Sequence, residues 1–201
     1  MEVIFLRYIP ENSREFEMSG IKKWHELGYT GKGIKIANLE GTDSNLWFYH
    51  GKVLDPLNNK SGIGSNIHGH KTTDVLHQIA FDSYIYSLNN AGRYDQYTAS
   101  GTFIETTIPF MEEEGIHLVN ASLGGIDNPA LNNRIKQAKE HGVTFVTSAG
   151  NEADSGVGGY ARSGAWIAVG AVHLSAKGDI LHAGYSSLGE EVDFTQFSGL
   201  Y

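Results

Sequence analysis

Cysteine is absent from this sequence, and proline occurs only four times. Without a thiol the chain can build neither a disulfide framework nor a cysteine nucleophile, and a reducing compartment suits it. Clusters of Lys or Arg are missing as well: 15 basic residues face 23 acidic ones, for a formal net charge of −8. Nucleic-acid affinity rests on neutralising phosphates, so no nucleic-acid partner is expected. No apolar run approaches the roughly 20 residues that a bilayer span requires, and Met1 to Pro10 lacks the long apolar core of a secretory signal. No membrane association is expected, and the expected location is cytoplasmic.

What is present is the material of one ordinary domain. The 201 residues are 40% hydrophobic and 19% charged, and 25 glycines imply many tight turns between regular elements. Apolar and β-branched residues run together between turn signals at 34–39, 117–120, 143–147 and 167–172, with a fifth candidate strand at 84–88. A helix is predicted between the second and third of these, with Asn128 as N-cap, Pro129 at its first position and Gly142 past its end. Leu131, Ile135 and Ala138 would share its buried face. Another helix is predicted over 101–114, closed by Gly115 and open to a kink at Pro109. Strand, helix, strand in alternation implies right-handed crossovers and a mostly parallel sheet with helices on both faces, whose functional residues follow the strands.

Five short segments then stand out. Gly28-Tyr29-Thr30-Gly31-Lys32-Gly33 feeds an apolar strand that ends on Glu40. Asn66-Ile67-His68-Gly69-His70 places two histidines around a glycine. Asn120-Ala121-Ser122-Leu123-Gly124-Gly125 leaves its strand through two glycines, which let another backbone approach closely. The strand 143–147 runs into Ala149-Gly150-Asn151-Glu152, and Ile167-Ala168-Val169-Gly170-Ala171-Val172 is followed by Tyr185-Ser186-Ser187-Leu188-Gly189.

In this order, over roughly residues 20 to 195, these segments resemble the subtilisin-like serine peptidases. The resemblance implies a three-layer α/β subtilisin-like fold, C-terminally incomplete, with residues 1–20 as an N-terminal arm and 21–201 as the peptidase domain. It implies peptide-bond hydrolysis by a Ser-His-acid triad, with Glu40 orienting His68 as base and Asn151 as oxyanion donor. Ser122, Leu123, Gly124, Gly125, Ala149 and Gly150 would border the substrate. Glu40 and His68 are then expected within about 3.5 Å of each other.

The sequence departs from the family pattern in three places. The acid is glutamate where the family has aspartate, and one extra methylene shifts a carboxylate by roughly 1.5 Å unless the backbone compensates. One residue is missing between Gly69 and the second histidine. No Gly-Thr-Ser-Met-Ala segment, which would carry the nucleophile, occurs in the 201 residues. A non-catalytic subtilisin-like domain that binds a peptide or protein partner is the alternative from a different class.

Taken one at a time, the same residues have plainer readings. Glu40 would be a solvated strand-end carboxylate, Asn151 a turn former, and His68 with His70 a pair able to share an ion, although no third and fourth ligands are identifiable. No metal ligand and no cofactor is assigned, and calcium stays open. The expected partners are a peptide or protein substrate and either the chain's own C-terminal fragment or a second copy.

Without the serine segment, the 201-residue chain is expected to hydrolyse neither peptides nor reactive esters. It should also resist labelling by a serine-directed fluorophosphonate, read by intact mass. A stoichiometric adduct would overturn this.

Overall fold

The computed structural model describes residues 12–42, 44–45, 49–56, 67–88 and 103–199. Residues 1–11 of the expected arm and residues 101–102 of the second predicted helix lie outside these. The strands are β1 (Lys35–Asn38), β2 (Val53–Leu54), β3 (Tyr84–Ser87), β4 (Leu118–Ala121), β5 (Thr144–Ser148), β6 (Ile167–Leu174), β7 (Ile180–His182) and β8 (Phe194–Phe197). Their order is β2-β3-β1-β4-β5-β6, parallel throughout.

β7 runs antiparallel to β6 and β8 parallel to it. Because Val172 pairs with both His182 and Phe197, β7 and β8 must lie on opposite edges of β6. All five strands predicted from sequence are found, within a residue or two of their expected ends. β2, β7 and β8 were not predicted. β2 has two residues, too few to show a period, while β7 and most of β8 are exposed, so burial imposes no apolar pattern on them.

Two helical layers follow from the period-two alternation of the strands. One face of the sheet presents Ile36 and Ile85, which cluster with Leu76 and Ala80. Leu76 belongs to α3 (Ile67–Ile79). The other face presents Ala37, Tyr86, Val119 and Phe145, which pack with Ile108 and Met111 of α4 (Ile108–Glu114) and Leu131, Ile135 and Ala138 of α5 (Pro129–Glu140).

α5 matches its sequence signals: Asn128 Oδ1 accepts the Ala130 and Leu131 N–H groups at 2.9 and 3.2 Å, and Gly142 has φ +91°. The second predicted helix is divided. A π-helical turn at Phe103–Thr107 gives way to α4, with Pro109 in its first turn and Gly115 closing it at φ +66°. Proline lacks an N–H, so the expected kink appears as a change of hydrogen-bond register.

Two short helices, α1 (Ser13–Met18) and α2 (Ile21–Glu26), precede β1. Phe16 of α1 is fully buried, and Asn12 Nδ2 donates to Gln78 Oε1 of α3 at 3.2 Å, so this stretch packs on the domain. From β1 the chain builds outward to β2 and β3 on one side and to β4, β5 and β6 on the other. The crevice of such a sheet opens at the carboxyl ends of the strands beside this switch point.

Replacing the cap of α5, Asn128→Ala, is expected to lower unfolding free energy by about 1 kcal/mol, read from urea titrations at unchanged m-value.

Candidate active site

At the carboxyl end of β1 the chain turns through Leu39, Glu40 and Gly41. The ladder continues past the strand itself, with Leu39 N–H donating to Asn120 O and Leu88 N–H to Asn38 O, at 2.9 and 2.8 Å. Ser87 then holds the turn from β3: its hydroxyl donates to Glu40 O at 2.7 Å and accepts the Thr42 N–H at 3.0 Å. Glu40 is therefore fixed by its backbone before its side chain makes any contact.

Its carboxylate meets the first turn of α3, where His68 Nδ1 lies 2.8 Å from Glu40 Oε1. The two side chains differ sharply in exposure, 5% for Glu40 and 60% for His68. The Glu40 hydrogen bond, reinforced by its charge, holds the His68 imidazole above its ordinary value of 6.5, against opposing burial and the Lys71 charge. With Nδ1 committed to Glu40, Nε2 is the nitrogen available for proton transfer, and the exposed ring keeps it reachable.

The distance is possible because Gly69 has no side chain: a Cβ there would collide with the Gly41 carbonyl oxygen. His68 and His70 do not converge. His70 Nδ1 is bonded instead to Thr42 Oγ1, at 2.8 Å. Asn66 of the sequence motif lies outside the described residues.

Further along the same edge, Asn120 Nδ2 donates to Asn38 Oδ1 at 2.9 Å and to Ser122 Oγ at 3.0 Å. Asn38, fully buried, in turn donates to Thr72 and Thr73 of α3 at 3.2 and 3.0 Å. Sequence reading did not single out Asn38, Thr42, Thr72 or Ser87. The signal was available in Asn38, an amide inside an otherwise apolar strand, since a buried amide requires partners.

The Ser122–Gly125 segment leaves β4 on this edge, with Gly124 exposed. Gly125 is backed by Tyr160, whose ring a Cβ at that position would penetrate. Tyr160 lies on α6 (Gly159–Arg162) and stacks on Trp166 at 4.9 Å.

Asn151 follows β5, two strand spacings or about 10 Å across the sheet from β1. Its side chain is exposed, and no hydrogen bond joins it to the Glu40–His68 pair among the described contacts. The Asn151 N–H donates to Glu152 Oε2 at 2.8 Å, and Ser187 Oγ–H donates to the same oxygen at 3.0 Å. Gly150, at φ +118°, permits the turn, because a Cβ would collide with Glu152 Oε2. Ala149 is buried, with its carbonyl accepting the Gly158 N–H at 2.7 Å.

Several solved structures share this architecture. A cold-adapted subtilisin-like serine proteinase superposes with TM-score 0.62 at 20% identity, covering 84% of this chain and 64% of its own. The prenylagaramide maturation protease PagA gives 0.67 at 19% identity, with coverage of 86% and 64%. The PatG macrocyclase, solved in complex with a peptide, gives 0.62 at 13% identity, with coverage of 92% and 69%. This chain thus spans just under two thirds of the length of the first two, and likeness at such identities speaks for the fold. No curated protein matches the sequence. The model of the subtilase family matches residues 57–197, a span that begins after Glu40 and contains His68, the Ser122–Gly125 edge and Asn151. With more than two thirds of its length matched in one continuous run, the chain belongs to the subtilase family.

Proposed function

We propose that this chain supplies the acid–base half and the substrate edge of a subtilisin-like serine endopeptidase. The observation that carries the reading is the 2.8 Å contact between the buried Glu40 carboxylate and Nδ1 of the exposed His68 ring. A buried acid on one ring nitrogen fixes the tautomer and favours the imidazolium that forms when the other nitrogen takes up a proton. Asn151 on the same sheet edge would donate its side-chain amide to the tetrahedral oxyanion, and the Ser122–Gly125 backbone would run beside the peptide. A complete triad also requires a serine that these 201 residues do not contain, so the chain alone is expected to be inactive.

The alternative, a non-catalytic domain that binds a peptide through the same cleft, is favoured by glutamate at the acid position. It gives no reason for a buried carboxylate to be held on a histidine ring. The two readings separate on the product of the complete reading frame that contains these residues. Fluorophosphonate labelling that is slowed at least about 100-fold by His68→Ala supports the endopeptidase, in line with the usual contribution of a general base. Peptide binding without labelling, unaffected by His68→Ala, supports the binding domain.

The acid–base pair can also be tested on the 201-residue chain. By NMR, His68 is expected to titrate above 6.5, and Glu40→Gln should bring it down to or below that value. A folded-state value above the unfolded one means that the pair's contribution to stability is complete below the unfolded value, near pH 6.5, and is lost as pH rises through the folded one. With a 60% exposed ring, screening keeps that contribution within about 0.2–1 kcal/mol, measurable as a difference between urea titrations at pH 5.5 and pH 8.5 that Glu40→Gln removes.

A further inference from the structure

Beyond the Glu40–His68 pair, a second group of polar side chains gathers two residues further along each element. Thr42 Oγ1 and His70 Nδ1 are hydrogen-bonded at 2.8 Å. The Thr42 hydroxyl also lies 3.5 Å from the phenol of Tyr49, which donates to Asp74 Oδ1 at 2.5 Å. Thr42 is 1% exposed and Tyr49 fully buried, while His70 and Asp74 are half-buried. Between the two ties, Gly69 rests directly on the Gly41 carbonyl. Residues 40, 41 and 42 therefore meet residues 68, 69 and 70 in register. The 40–42 segment is itself anchored through Ser87.

The first turn of α3 needs such support. Its leading N–H groups have no partners within the helix, and a glycine at its third residue weakens helix propensity by up to about 1 kcal/mol relative to alanine. A ring that is 60% exposed, and held among the described residues at Nδ1, would leave its well whenever that turn frayed. His70 and Asp74 stand four residues apart, on one face of α3, so the second group grips the helix at two successive turns.

We infer that His70, acting through Thr42, is a positioning residue that fixes the first turn of α3 on the end of β1 and so keeps the His68 ring aimed at Glu40. The inference rests on the reading of His68 as general base. It adds that the second histidine of the motif serves the first by mechanical means, through a threonine in the loop that follows β1. The group is charged as well as hydrogen-bonded: Asp74 faces both His70 and His77 of its own helix, and burial raises the Asp74 carboxyl above the usual carboxylate value. Lys71 is the neighbouring charge that acts on His68.

The test uses ring NMR of the labelled 201-residue chain. Thr42→Val removes the hydroxyl at nearly constant shape, and His70→Phe removes the ring nitrogen. Thr42→Ser and His70→Asn each retain a group able to make the bond. The Val and Phe variants are expected to lose half or more of the upward displacement of the His68 titration midpoint and to mix its two neutral tautomers, whereas the Ser and Asn variants keep both properties. His173, on β6, serves as a reference that should not move. Ala138→Gly in α5 lowers stability away from the site and should leave His68 unchanged, which separates positioning from general loss of stability.

If His68 keeps its midpoint and tautomer in either Thr42→Val or His70→Phe, the inference is overturned while the Glu40–His68 reading stands. If Glu40→Gln also leaves them unchanged, that reading itself fails. The two variants act from different elements, so one that folds is sufficient. The unaltered chain offers a second measurement: slow solvent exchange or a single tautomer at the His70 ring supports the tie, and a freely averaging His70 ring overturns it.

Discussion

α3 lies against β1 and runs the opposite way, and the steps of the two elements match. Ile36 shares a cluster with Leu76, Asn38 bonds Thr72 and Thr73, and Glu40 bonds His68. Each move of two residues along the strand, about 6.7 Å, thus corresponds to about four residues, or 6 Å, back along the helix. The buried Asn38 amide makes this alignment specific. A slip of one helical turn would strip it of its threonine partners, and a buried polar group left unsatisfied costs about 1–3 kcal/mol. Apolar contacts alone would tolerate the slip far better, since the hydrophobic effect is non-directional.

Glutamate in place of the family's aspartate is accommodated by the same scaffold. The Glu40 backbone is fixed by Ser87 and by the continued ladder, while Gly69 lets the helix come close enough for the longer side chain to meet Nδ1. Burial is unequal within the pair. The acid is sealed in and the base is open to solvent, so the carboxylate acts on the ring through little intervening water, and the outward nitrogen remains reachable.

The rest of the edge is braced from behind by close-packed aromatic rings. Trp166 stacks on Tyr160 and meets Phe145 edge-on at 5.3 Å, and Tyr160 presses against Gly125. Gly159 is equally confined, since a Cβ there would collide with the Gly125 carbonyl oxygen. The Ser122–Gly125 backbone is thereby supported by α6 and the core. The Asn151 turn is clamped by Glu152 and by Ser187, whose N–H donates to Gly150 O at 3.0 Å. On the proposed reading of this edge as a peptide site, rigid support keeps ordering costs low when a ligand arrives.

From its own pattern the sequence determined the parallel α/β class, five of the strands and the capped helix at 129–140, because burial periodicity and end-capping act over a few neighbouring residues. It also marked Glu40, His68 and Asn151, through the resemblance of their segments to the subtilisin-like peptidases. Only the tertiary structure decided that His70 turns to Thr42 instead of sharing a ligand with His68, and that Asn38 links two strands and a helix. β7 pairs with β6 where β6 continues past β5, and β8 takes the opposite edge of β6. The contacts of Glu40, His70 and Asn38 join partners 28 to 82 residues apart in the chain. Local pattern carries no information about such distances, which are set when the helices close over the sheet.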